Sequence, residues 1–268
     1  MRTLLTSAVL AAVSTFLLNS PQAQAQDTTP CVIAAGVTTI APNPNPRGAP
    51  FSAVIKSTFD QKLADGNSIH IVIRYRVARD AFGKTFTERP GSCYPGKDGQ
   101  QHQSYQVMVY DQNSRTMGSW QVDGTNRTAT ITHFPAPVKP SEAELAAMRA
   151  NAALRQRIPA SEWQTEKLGT QNFQGVSAEG TRRIQTIPAG EQGNTLPLVV
   201  VTENWDSRDI GMSMMSVLDD PRRGRTVGEV EELNQGDPPP SMFTPPEGYE
   251  IKEQTQTTTV MQSPTASQ

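Results

Sequence analysis

Apolar and polar residues alternate along the stretch from Ser68 to Ala78. Every second side chain is apolar, and these side chains belong to Ile69, Ile71, Ile73, Tyr75 and Val77. A period of two is the spacing of a β-strand, because successive side chains of a strand point to opposite faces of its sheet. The stretch therefore predicts a strand with one face buried in a core and the other in contact with water or a cavity.

Further strand-like stretches precede and follow this one. Phe51–Leu63 also alternates, and Asp65-Gly66-Asn67 joins the two stretches with residues that tolerate a positive φ. Residues 90–103 contain two prolines and three glycines and predict a loop. Strand-like segments resume after this loop and continue to about residue 233. So many strands with short connections predict a large antiparallel sheet.

One segment has helical character. Ser141 and Glu144 form a capping box, and Leu145, Met148 and Ala152 recur at helical spacing. A helix is therefore predicted near residues 142–157, with a narrow, alanine-rich apolar stripe that would fit closely on a sheet. We expect an α+β fold that is mainly antiparallel β: one large curved sheet, a half-barrel of about ten strands, with the helix packed on it.

The first 25 residues have the composition of an export signal. Arg2 precedes a long apolar run, Leu4–Leu18, and the segment ends in Ala23-Gln24-Ala25, the small-x-small pattern that signal peptidases cut. We expect cleavage after Ala25 and a mature protein that is periplasmic or secreted. After the signal, the sequence has no apolar run long enough to cross a bilayer.

Composition divides the remaining chain into three parts. Residues 26–49 read as a proline-rich linker, because alternating proline and asparagine at 42–46 suit neither a helix nor a strand. Residues 252–268 are rich in Thr, Gln and Ser and are expected to be disordered. The folded domain should therefore cover residues 50–251.

The chain has two cysteines, Cys31 and Cys93. In an oxidising compartment they could form a disulfide that ties the N-terminal linker to the loop near residue 93. The alternative is two free thiols in loops. Thr28-Thr29-Pro30 precedes Cys31 and does not match the small-residue box of a lipoprotein signal.

Charge and motifs exclude several classes of function. The net charge of −2 over 268 residues is too small to attract nucleic acid. Gly91–Lys97 has the spacing of a phosphate loop, but Asp98 stands where Ser or Thr would hold magnesium. His70, His102 and His133 lack metal-ligand spacing. The sequence predicts no catalytic residue, no cofactor and no metal site.

A curved sheet with an apolar face could enclose a ligand cavity. The run Met212–Met215 resembles thioether motifs that bind copper(I), although methionine more commonly fills a core or lines an apolar cavity. The predicted cavity lining consists of Ile69, Ile71, Ile73, Met212 and Met214. The alternative is that the helix fills this face and leaves no space for a ligand.

Several segments resemble an uncharacterised family of exported bacterial proteins. The resemblance covers most of residues 50–251 and rests on Pro50–Ala53, Leu63–Asn67, Arg79-Asp80, Leu168–Thr170, Gly175–Arg182, Ile187–Gly190 and Asp220–Arg222. It implies export and brings no assigned activity.

A second resemblance concerns architecture. A long antiparallel sheet interrupted by a helix, with the closing segment Pro240–Tyr249, is similar to lipoprotein-carrier half-barrels (LolA/LolB-like) and to RseB-like sensors of the same shape. This likeness implies an apolar concave face that holds acyl chains.

These features favour a non-enzymatic exported envelope protein. Its expected partners are a lipid or other apolar ligand, a lipidated partner or another envelope protein, bound on the curved sheet. The alternative is a secreted hydrolase or sugar-active enzyme, because glycosidase chemistry needs only two carboxylates from any part of the fold. Such an enzyme would bring two carboxylates, or a Ser–His pair, together in one cleft.

Overall fold

A computed structural model describes residues 31–32, 40–42, 48–137, 139–156 and 162–256. The predicted signal peptide, its cleavage site after Ala25 and most of the predicted linker lie outside these residues. The last residues of the predicted disordered tail, 257–268, also lie outside them.

The described residues form one sheet of twelve strands, one α-helix and one 3₁₀ turn. The strands are β1 Phe51–Lys62, β2 Ser68–Arg79, β3 Thr85–Pro95, β4 Gln101–Asp111, β5 Thr116–Val122, β6 Thr128–His133, β7 Glu162–Phe173, β8 Val176–Ile187, β9 Leu198–Ser207, β10 Met212–Asp220, β11 Gly224–Gln235 and β12 Glu250–Thr255. The helix, α1, covers Glu142–Gln156, and the 3₁₀ turn covers Pro240–Phe243.

The strand order across the sheet is β12-β6-β5-β4-β3-β2-β1-β11-β10-β9-β8-β7. Neighbouring strands are antiparallel except β12, which runs parallel to β6. The predicted class, a mainly antiparallel curved sheet with one helix, is confirmed. The strand count is twelve instead of about ten, partly because β12 continues to Thr255, inside the stretch whose composition predicts disorder.

The prediction that the helix packs on the sheet is wrong for the described residues. Along α1 only Leu145 is partly buried among the residues whose burial is described, and Met148 is 62% exposed. Ala147 and Met148 line a groove of about 930 Å³ together with Phe134 and Pro135, which follow β6. The alanine-rich stripe is too narrow to bury a helix face, so the sheet is covered by other parts of the chain.

The fully buried Arg79, at the end of β2, shows how strongly the sheet curls. Its Nη2 donates hydrogen bonds to the carbonyl of Ala49, at 2.6 Å, and to the carbonyl of Ile210, between β9 and β10. β1 and β11 separate β2 from β10, so a flat sheet would place these strands roughly 14 Å apart. One side chain reaches both sites only because the sheet bends.

The core occupies different faces in the two halves of the sheet. We call the face that carries Ala53 and Ile55 of β1 and Tyr75 and Val77 of β2 the inner face. Its core cluster also draws residues from β8 to β11: Val176, Ala178, Trp205, Met212, Met214 and Val230. The opposite, outer face is buried across β2 to β6, where the 3₁₀ turn covers it with Phe243; this second core holds Ala78, Phe86, Val107, Val109, Trp120 and Ala129.

Away from Ala78, the outer face of β1 and β2 carries charges instead of a core. Arg74 pairs with Glu231 at 2.7 Å, and Lys56 pairs with Glu229 at 3.1 Å. Exposed pairs of this kind contribute little stability. They do keep this part of the outer face in water, so the apolar side chains of the two strands are concentrated on the inner face.

Candidate functional site

The inner face is the candidate site. Part of it is covered by residues 31–32 and 40–42, which we call the N-terminal segment. Ile40 is buried, 4% exposed, and Val32 is partly buried against the same core cluster. Gly228 of β11 leaves space for Ile40, because a β-carbon at this position would lie only 3.3 Å from the Ile40 side chain. Ile40 therefore fills the inner face over β1, β2 and β11.

Tyr75 fixes the backbone of Ile40. The amide of Ile40 donates a hydrogen bond to the Tyr75 hydroxyl at 2.6 Å, and that hydroxyl donates to the Ile40 carbonyl at 3.0 Å. Both backbone groups are buried and would otherwise lose their hydrogen bonds with water without replacement. The Tyr75 hydroxyl thus provides hydrogen bonds for both backbone groups of Ile40, a residue that lies outside the strands.

A disulfide anchors the start of this segment. Cys31 and Cys93 are bonded, with Cα atoms 5.9 Å apart, which confirms the predicted pair. Next to it, the Val32 amide donates a hydrogen bond to Oε1 of Gln103 at 2.9 Å. The N-terminal segment is therefore attached to β3 and β4 at one point and to the inner face at Ile40.

The inner face continues beyond Ile40 onto β3 to β6. Directly paired residues of antiparallel strands lie on the same face, so the register extends the face outward from Val77. The first row that it defines is Thr87, Met108, Ser119 and Thr130; the next row is Thr85, Tyr110, Met117 and Thr132. Met108 is 46% exposed. Thr85 and Thr132 are buried, and the other members of the two rows are partly exposed. We call this part of the inner face the accessible half, because Met108, Tyr110 and Met117 are open to solvent there at least in part.

Arg89 lies where the covered and accessible halves meet. It pairs with Gln106 on β4, which places it on the inner face two residues from Thr87. Its guanidinium carbon is 5.5 Å from the centre of the Tyr75 ring. The site therefore combines Met108, Tyr110 and Met117 with the cation of Arg89, which lies at the edge of the area that Ile40 covers.

The residues predicted to line a cavity lie in several environments. Ile73, Met212 and Met214 are buried in the inner core cluster, and Ile71 is partly buried against it. Ile69, 36% exposed, borders a separate polar cleft near His70. The structure brings together the first four, and whether any of the five lines a ligand cavity stays a prediction.

The accessible part of the site escaped sequence reasoning. Met108 and Tyr110 alternate with Val107 and Val109, so β4 is apolar on both faces and its pattern does not say which face is free. Ile40 stands in a segment without periodicity, and its contact with Tyr75 spans 35 residues of sequence.

The arrangement of acidic groups does not resemble a general acid–base couple. Asp60 and His70 pair at 2.6 Å in the polar cleft, which also borders Asp219 and Asp220. Hydrogen bonds from Arg222 hold the pKa of Asp220 below its usual value, whereas a general acid needs a raised pKa. Every described carboxyl group with a clearly shifted pKa has it lowered: Asp98, Asp111, Glu144, Asp220 and Glu231. Within the described residues, no group of three or more His, Cys, Asp and Glu could hold a metal ion.

No protein-family model and no curated protein matches the chain. Solved structures that align with it include MucB, with 13% identity, a TM-score of 0.32 and coverage of 78% of this chain and 62% of that chain. An uncharacterised conserved protein from Thermus thermophilus aligns with 8% identity, a TM-score of 0.36 and coverage of 78% and 93%, respectively. The lipoprotein LppX from Mycobacterium tuberculosis aligns with 14% identity, a TM-score of 0.26 and coverage of 71% and 86%.

The chain spans 62% of the length of the MucB chain, and the three TM-scores lie between 0.26 and 0.36. In the part of the chain that the structure describes, no helix is both long and apolar enough to span a membrane.

Tyr75→Phe is expected to destabilise the protein by about 2 kcal/mol at neutral pH. The substitution leaves the Ile40 amide and carbonyl buried without their partner, and unmade buried hydrogen bonds carry costs of this size. Chemical denaturation of both proteins measures the loss. Tyr110→Phe, on a partly buried tyrosine of β4, is the matched control and should change stability by less than about 0.5 kcal/mol.

The stabilities of the wild type and of Tyr75→Phe should also respond differently to alkaline pH. Burial raises the pKa of Tyr75 to about 12 from 10.0, against the lowering effects of the Ile40 hydrogen bond and the Arg89 charge. An unfolded tyrosine ionises near pH 10, so the stability that depends on the neutral phenol is complete below pH 10. It is lost as the pH rises from 10 to 12, and a shift of this size corresponds to about 3 kcal/mol. A wild-type advantage over Tyr75→Phe that stays constant across this range would contradict the assignment.

Proposed function

We propose that this chain is a non-enzymatic exported protein that binds an apolar ligand, or the acyl chain of a lipidated partner, on the inner face of its curved sheet. One observation carries the proposal. The face is filled by Ile40 and the core over β1 and β2, and it continues as an accessible surface with Met108, Tyr110 and Met117 over β4 and β5.

The accessible half has the chemistry of a surface that accepts variable apolar shapes. Met108 and Met117 have flexible, polarisable side chains that repack around different partners. The opposite face of the same strands is already closed by the Phe243 core, so these strands do not need the inner face for burial. An apolar surface that the fold does not require for its own core favours a binding role.

Two properties support the exported state. The Cys31–Cys93 disulfide is of the kind that persists in oxidising compartments. The sequence of residues 1–25 has the pattern of a cleaved export signal. We propose on this basis that the mature chain begins after Ala25 and acts in the periplasm or outside the cell.

Met108→Glu is expected to weaken binding of an apolar ligand by about tenfold or more. A carboxylate in the middle of the accessible half must lose water when an apolar chain covers it, and burial of an unpaired charge is unfavourable. Because Met108 is 46% exposed, the substitution should leave folding intact. Native mass spectrometry of protein isolated from the cell envelope measures co-purifying lipid, and titration with a neutral fluorescent apolar probe measures affinity.

Ile251→Glu is the matched control. Ile251 is 49% exposed and pairs with Ala129, a residue of the outer-face core, so the substitution introduces the same charge at similar exposure on the opposite face of the sheet. This variant should bind as the wild type does. Wild-type protein that is repeatedly free of lipid and does not bind the probe would refute the proposed function, and equal loss in both variants would place the binding elsewhere.

A further inference from the structure

Arg89, at the boundary of the candidate site, has no anionic partner among the residues that the structure describes. Elsewhere on the sheet, partly buried carboxylates neutralise arginines: Arg76 pairs with Glu88 at 2.5 Å, and Arg182 pairs with Glu203 at 3.0 Å. Arg89 makes no ion pair within the described residues, and its Nε is buried there without a hydrogen-bond partner.

The immediate surroundings of Arg89 stabilise the cation only in part. Its guanidinium lies 5.5 Å from the centre of the Tyr75 ring, whose face attracts positive charge. A ring contact satisfies none of the N–H donors of a guanidinium, which has five. Buried donors are nearly always paired in native proteins, so the unpaired Nε–H of Arg89 marks a position where water or an anion can accept a hydrogen bond.

The register places Arg89 next to the accessible apolar surface. Gln106 faces Arg89 across the β3–β4 ladder, and Met108 and Tyr110 follow Gln106 on the same face of β4. Successive residues on one face of a strand lie roughly 7 Å apart. A molecule with its charged end at Arg89 would therefore have Met108 and then Tyr110 beneath the part that extends away from it.

We infer that Arg89 binds the anionic head group of an amphiphile whose apolar chain lies along Met108 and Tyr110. This inference rests on the proposed function and adds the class of ligand. Carboxylate and phosphate share the required chemistry, because either presents oxygens that a guanidinium can bind with two N–H donors. An uncharged chain of equal length would leave Arg89 as it is now.

The experiment compares four compounds that separate chain from charge. Dodecanoate, dodecyl phosphate, dodecanol and inorganic phosphate each compete with a neutral fluorescent apolar probe, below the micellar concentration of the amphiphiles. Wild-type protein should bind at least one of the two anionic amphiphiles about tenfold more tightly than it binds dodecanol. A difference in affinity of this size is what one charge-assisted hydrogen bond contributes. The preferred anion identifies the head group.

Arg89→Gln should abolish this preference by lowering the affinity for the anions to that for dodecanol, and Arg89→Lys should keep part of the preference. Arg183→Gln is the matched control, because Arg183 on β8 also stacks on an aromatic ring, 4.6 Å from the centre of Trp163. The control should bind all compounds as the wild type does. Thermal melting of each variant establishes that it is folded.

Contrary results would refute the head-group role of Arg89, the type of ligand or the proposed function itself. Equal affinity of wild type for dodecanol and both anions, or an unchanged preference in Arg89→Gln, would remove the head-group role and leave the apolar site standing. Binding of inorganic phosphate as tight as that of dodecyl phosphate would assign Arg89 to a free anion instead. No binding of any chain would refute the proposed function and this inference together.

Discussion

Ile55→Asp is expected to prevent folding. Ile55 is fully buried at the centre of the inner core, and its direct neighbours in the sheet are Tyr75 on β2 and Val230 on β11. Burial of an unpaired carboxylate, together with the loss of the isoleucine contacts, costs several kcal/mol. Small domains are stable by only about 5–15 kcal/mol, so the substitution removes most or all of that margin. Circular dichroism and gel filtration of the purified variant measure the outcome.

Ile251→Asp makes the same chemical change at an exposed position. Ile251 is 49% exposed on the edge strand β12, where the new carboxylate stays in water. This variant should melt cooperatively within a few degrees of the wild type. If Ile55→Asp also melts cooperatively near the wild-type temperature, Ile55 cannot lie at the centre of the core.

The first hairpin was predictable because both local signals agree. The alternation predicts strands over 51–63 and 68–78, and the structure has them at Phe51–Lys62 and Ser68–Arg79. Ladder pairing also follows the alternation, since apolar Ile55 faces apolar Tyr75 and polar Lys56 faces Arg74. A single shift in register would reverse every one of these pairs.

The loop predicted for residues 90–103 shows where local signals mislead. β3 continues to Pro95 and β4 starts at Gln101, so the hairpin is longer than its prolines and glycines suggest. The pairing slips between Pro90 and Cys93, and a bulge of this kind tolerates a proline within a ladder. Composition shows that a segment is rich in proline and glycine. It does not show whether a neighbouring strand can pair with that segment.

The helix was predictable in its start but not in its packing. Ser141 and Glu144 form the expected capping box, with the Ser141 amide donating to the Glu144 carboxylate at 2.7 Å and the Glu144 amide donating to Ser141 Oγ at 3.2 Å. Capping depends on residues three apart. Packing depends on which distant surface is free, and the N-terminal segment and the 3₁₀ turn, not the helix, contribute Ile40 and Phe243 to the two cores.

Removal of the disulfide by Cys31→Ser with Cys93→Ser is expected to lower the free energy of unfolding by about 4 kcal/mol. The bond joins residues 62 apart in sequence, and in the chain-entropy model a loop of that length restricts the unfolded chain by this amount. In the folded state, the Tyr75–Ile40 hydrogen bonds and the Val32–Gln103 hydrogen bond remain available to hold the N-terminal segment. Urea denaturation of the two proteins under oxidising conditions measures the difference.

Reduced wild-type protein provides the control, because it lacks the bond but keeps both native side chains. Its unfolding midpoint should coincide with that of the double serine variant, and reductant should leave the variant unchanged. Hydrogen exchange of the Ile40 amide distinguishes two reasons for a free energy of unfolding that falls by less than about 4 kcal/mol. If the amide exchanges faster after reduction, the disulfide holds the N-terminal segment on the inner face, and its removal changes the folded state as well as the unfolded state. If the amide stays protected while stability falls by less than about 1 kcal/mol, the Tyr75 anchor alone positions Ile40, and the bond contributes little to the fold.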